Sequence, residues 1–143
     1  MSLTKLPGSD LYVLPENVVV VELRPLHSRP GAVYVTLADG SDRGFHRTRV
    51  IEPGGSIEDV VTVLHAAELV QLSADVWVAR SVVACVEATK AYHTSDALVP
   101  VCRVTLAASA GGRVIDIPYP NVEGYDRQVE QTKVGAAAIA AAV

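Results

Sequence analysis

The chain has 143 residues, half of them hydrophobic and a fifth charged, with a formal net charge of −4 at pH 7. That balance belongs to a globular protein and is too apolar for a disordered one. The acidic surplus argues against a general nucleic-acid binder, and one Phe, one Trp and five Tyr are a poor platform for stacking single strands.

Taken in order, residues 1–9 read as a leader with a Pro7-Gly8 turn. A short strand over 11–14 is broken at Pro15, and the valine run over 18–23 follows as a strand covered on both sides. Prolines and a glycine predict a loop over 24–31, and residues 32–38 form the next strand, closed by Asp39-Gly40. Residues 43–51 read as a partly exposed strand. After Pro53-Gly54-Gly55, Ser56 is a helix N-cap, with Glu58 and Asp59 in the first turn and Ile57, Val60, Val61 and Leu64 as a buried stripe.

Residues 69–72 and 76–79 predict a strand pair about a turn at 73–75. A strand over 82–88, a loop over 89–100, and strands over 101–107 and 113–117 follow. Asn121 is expected to cap a final helix with the stripe Val122, Tyr125 and Val129, ending in an alanine-rich tail over 135–143. Alanine favours helix but buries little area, so that tail needs a close neighbour, with Ile139 and Val143 as its interface anchors.

These elements repeat. Val35-Thr36-Leu37-Ala38 returns as Val104-Thr105-Leu106-Ala107, Arg49-Val50-Ile51-Glu52 as Arg113-Val114-Ile115-Asp116, and Ser56-Ile57-Glu58 as Asn121-Val122-Glu123. The offset is 65 from Glu22 to Glu87 and 69 from Val35 to Val104, which short insertions explain. The expected fold is therefore α+β: an internally duplicated unit of three or four antiparallel strands plus one helix, in a pseudo-twofold arrangement. The first copy spans 1–68 and the second 69–143, joined in one compact domain because neither alone buries much core.

The chemistry-bearing residues do not converge on a motif. His27, His46, His65 and His93 fall in four different elements without the close spacing of a zinc site, so no metal and no cofactor is expected. Cys85 and Cys102 lie in apolar strands and are expected to be reduced and buried. Arg43, His46, Arg47 and Arg49 form a basic cluster that suits an anion or a partner's carboxylates, or else guards a strand edge. Tyr92-His93-Thr94-Ser95-Asp96 places hydroxyl, imidazole and carboxylate on one loop, without the converging geometry of a triad.

Residues 69–80 (LVQLSADVWVAR), lying between two strand-and-helix segments, resemble the central strand segment of LytTR DNA-binding domains, through Leu69, Val70, Leu72 and Val78. That resemblance implies a regulatory DNA-binding domain with Arg43, Arg47 and Arg49 on phosphates, although Gln71, Ser73 and Ala74 stand where the family carries basic residues. A third reading is an enzyme with a site between the two copies, around His93 and Asp96.

The leading expectation is a non-enzymatic structural or interaction protein. It would be a subunit of a homo-oligomer or larger assembly, most specifically a phage virion head or tail component, whose partners are itself or other subunits. No apolar run reaches bilayer length and no secretory pattern precedes Glu22, so the expected location is the cytoplasm or an assembled virion.

Overall fold

Two short hairpins, two three-stranded meanders and two helices alternate along the chain in a mixed α+β fold. The computed structural model describes residues 2–26, 29–39, 47–92 and 97–143. In the first half, β1 (Thr4–Lys5) pairs with β2 (Tyr12–Val13). A 3-10 turn at Pro15–Asn17 leads into β3 (Val18–Leu26), β4 (Arg29–Asp39) and β5 (Arg47–Ile51), then α1 (Ile57–Val63). In the second half, β6 (Leu69–Ser73) pairs with β7 (Val76–Ala79), and a 3-10 turn at Arg80–Val82 follows. Then come β8 (Val83–Tyr92), β9 (Leu98–Leu106), β10 (Val114–Pro118) and α2 (Tyr125–Ala142).

All strand pairs are antiparallel, and their registers match between the halves. Val21 lies opposite Val35 as Val86 lies opposite Val104. The step from Val18↔Leu37 to Val20↔Thr36 is a bulge, and the step from Val83↔Leu106 to Cys85↔Thr105 repeats it at the same offsets. Val35↔Ile51 corresponds to Val104↔Ile115, and Thr4↔Val13 to Val70↔Val78.

The cores correspond as well. Leu6, Val13, Val33 and Val35 are buried beside Ile57, Val60 and Leu64 of the α1 segment, while Leu72, Val78, Cys102 and Val104 are buried beside Ile139 of α2. The second core also takes in Val19 and Val20 from the first half. Full burial of a Val or Leu contributes about 1.5–3 kcal/mol, so this sharing joins the halves into one body.

The pairing is not reciprocal. The sheet order β5-β4-β3-β7-β6 adds the second half's hairpin to the first half's meander, while β10-β9-β8 stands as three strands and β1-β2 as two. A twofold arrangement would also place β2 on β8, a pairing that does not occur among the described residues.

Four local expectations need correction. Residues expected in a leader belong to the fold: Thr4 and Lys5 pair with β2 and Leu6 is fully buried. The hairpin is held by close backbone packing, since a Cβ on Gly55 would meet the Pro7 carbonyl oxygen at 2.7 Å. The expected loops at 24–31 and 89–100 are mostly strand, with Leu26 pairing Arg29 and Tyr92 pairing Leu98. A bulge lies between Arg24 and Leu26, where the ladder tolerates Pro25, which has no amide hydrogen.

The last helix begins at Tyr125 with Gly124, not Asn121, at its N-cap. Tyr125 is exposed, and the buried positions are Thr132 and Ile139. An alanine-rich helix approaches its neighbours along small residues instead: Gly135 leaves room for the Tyr119 hydroxyl, which a Cβ there would strike. Ser56 caps α1 as expected, its hydroxyl accepting from the Asp59 amide at 3.2 Å. Cys102 is buried but Cys85 is exposed, and both are free thiols; Cys85 lies on the outermost strand of its sheet.

Candidate functional site: an open strand edge

Strands of matching register in the two halves meet different surroundings. In β3, Val18, Val19, Val20, Val21 and Glu22 are all buried, none more than 4% exposed. Their counterparts in β8 are Val83, Ala84, Cys85, Val86 and Glu87, of which Ala84, Cys85 and Glu87 are exposed and the two valines half-buried. The cause is the missing neighbour. β7 covers the outer edge of β3 through Val20↔Val78, Val21↔Trp77 and Glu22↔Val76, and the Leu23 amide donates to the Asp75 carbonyl at 2.8 Å. Among the described residues, β8 pairs with β9 alone. Ten residues of strand thus present an unpaired backbone edge, an arrangement that proteins usually avoid or use.

The same asymmetry appears in the charges. Arg113, just ahead of β10, donates from both terminal nitrogens to the two oxygens of the buried Glu22 carboxylate, each at 2.7 Å. This bidentate contact raises the Arg113 pKa, its hydrogen bond to Glu22 outweighing the opposing effect of burial. It crosses from the second half to the first. The counterparts, Arg49 and Glu87, are both exposed. Glu87 lies opposite Arg103, which binds Asp116 through Nε at 2.8 Å and a terminal nitrogen at 3.1 Å.

The sequence-predicted cluster is only partly placed. Arg43 and His46 lie outside the described residues, Arg47 opens β5 opposite Asp39, and Arg49 sits opposite Leu37. With Asn17, Leu37 and Ala38, Arg49 borders a shallow hollow of about 210 Å³. His93 and Asp96 also lie outside the described residues. His65 is exposed at the end of α1, and no group of three metal-ligating side chains occurs among the described residues.

Of the two expected interface residues, Ile139 is buried within this chain's own core and Val143 is 40% exposed. The cleft between the halves, about 270 Å³, lies between α1 and the β6–β7 hairpin. Among its lining residues Glu58 is the one titratable side chain, so the cleft holds no acid–base pair. The segment resembling LytTR domains forms this same hairpin.

Sequence reasoning missed the open edge, although one signal was present: Ala84-Cys85 replaces Val19-Val20 in an otherwise matching strand. No helix among the described residues is long and apolar enough to cross a membrane. No known family model, curated protein or solved structure matches the chain.

Proposed function

We propose that this protein is a non-enzymatic building block of a homo-oligomer or larger assembly, made of two copies of one hairpin–meander–helix unit docked head to tail. The carrying observation is the contrast between the buried β3 and the exposed β8 at matching registers. The duplication itself is supported by the shared bulge, the paired cores and the common element order. Head-to-tail contacts leave one donor and one acceptor surface at the ends, and they propagate into rings where the rotation closes and into filaments where it does not. Such geometry suits a ring or tube layer, and a virion head or tail component is its most specific form.

Light scattering coupled to size exclusion tests the reading. A mass that is a multiple of the 15.1 kDa chain at micromolar concentration is the expected result. A single-chain mass at every concentration up to the solubility limit contradicts it.

A further inference from the structure

The assembly reading leaves open what covers β8, and the chain's own repeat names the occupant. β7 reaches β3 as part of a two-stranded hairpin, and the hairpin with the same register in the first half is β1–β2. Among the described residues, β2 pairs only with β1, so its outer edge is as open as that of β8. On β2 itself, Tyr12 is 58% exposed. The other edge strands come in equivalent pairs, β5 with β10 and β1 with β6, and are outermost in both halves. Among the described residues, only β8 and β2 are open where their counterparts are paired. The chain therefore carries one unfilled acceptor and one unused donor of the same contact.

We propose that the β1–β2 hairpin of a second copy of this chain adds to β8 as β6–β7 adds to β3, an inference that rests on the assembly reading above. Moving the observed contact by one unit fixes its register. Val20↔Val78 becomes Cys85 opposite Val13 of the second copy, Val21↔Trp77 becomes Val86 opposite Tyr12, and Glu22↔Val76 becomes Glu87 opposite Leu11. The hydrogen bond from the Leu23 amide to the Asp75 carbonyl becomes one from the Ala88 amide to the Asp10 carbonyl of the second copy. The same operation converts the Arg113–Glu22 ion pair into one between Arg49 of the second copy and Glu87. This gives one member of the basic cluster a carboxylate partner and supplies charge complementarity to the contact. The completed sheet has the order β1-β2-β8-β9-β10, the counterpart of β6-β7-β3-β4-β5.

Two sets of variants of the full chain test the placement. In a Cys85→Ser background, Tyr12→Cys with Val86→Cys places two thiols opposite each other across the proposed contact. Mild oxidation should link most chains end to end, while either cysteine alone gives little linkage. In the charge set, Glu87→Arg or Arg49→Glu alone should weaken assembly about tenfold or more, and the double reversal should restore it to within about threefold. Tyr12, Arg49 and Glu87 are exposed and Val86 is half-buried, so a folded spectrum is checked for each variant.

Light scattering separates the two ways of failing. A protein that is monomeric at all concentrations removes the assembly reading and this contact with it. A protein that assembles, yet shows neither the paired linkage nor the charge rescue, keeps the assembly and overturns the hairpin contact. Equal linkage of the wild type through Cys85 alone also overturns it, because that is the mark of β8 meeting β8.

Discussion

β3 and β8 begin with nearly the same residues, Val-Val-Val-Val-Glu and Val-Ala-Cys-Val-Glu, yet one is the centre of a five-stranded sheet and the other the edge of a three-stranded one. The difference is not local. Both strands share a bulge, a meander and a helix downstream, and what separates them is whether another unit's hairpin lies alongside. Burial here is a property of the neighbour as much as of the strand, which is why a valine run alone does not reveal its own exposure.

The ion pairs offer the largest way to break that comparison. Arg113→Ala removes the bidentate partner of the buried Glu22 carboxylate and should destabilise the dilute protein by about 2–3 kcal/mol. Arg49→Ala, at the equivalent exposed position, should change stability by less than about 0.5 kcal/mol under the same conditions. Urea unfolding of the two variants checks this, and equal losses would remove the asymmetry between the halves.

Packing sharpens it further. Val21 is fully buried and Val86 half-buried at matching positions. Val21→Ala should cost about 2 kcal/mol and Val86→Ala less than about 1 kcal/mol in dilute solution. Thermal or denaturant midpoints of the pair decide it, and a Val86→Ala cost that rises with protein concentration would show the edge being covered.

The thiols give the smallest effect and the simplest readout. In dilute native protein Cys85 should react with a thiol reagent at once and Cys102 only on unfolding, one fast group and one slow. Burial, helped by the nearby Asp116 charge, raises the Cys102 pKa, above the ordinary thiol value of about 8.5. The unfolded thiol ionises first, so the stability it contributes is complete below that value and lost as pH rises through the folded pKa. Denaturant midpoints of wild type should therefore fall above pH ~9, and by less in Cys102→Ala.

Much of this was legible in the residues. The repeated Val-Thr-Leu-Ala placed β4 and β9, because each half puts Val35 or Val104 in its core and the alternation follows. Ser56 announced its helix through a hydroxyl with an obvious acceptor role. The N-terminal hairpin was hidden because Thr4-Lys5 is too short to show alternation, and Leu6 is buried in a cluster that includes residues some fifty positions away, such as Ile57 and Val60. The helix cap at Gly124 was hidden because the equivalence with Ser56 pointed to Asn121. The open edge was unreadable for a deeper reason: strand pairing between the halves is a long-range choice, and the smaller Ala84 and Cys85 were its one local sign.

Hydrogen exchange on β3 and β8, followed as a function of protein concentration, tests the central claim most directly. In dilute solution β3 amides should be protected throughout, while alternate β8 amides, facing the open edge, exchange fast. At concentrations where the mass rises, those β8 amides, Ala88 among them, and the amides of β2 should become protected together. Protection of β8 equal to that of β3 in the monomer, or a β8 edge that stays unprotected at every concentration, would contradict the account.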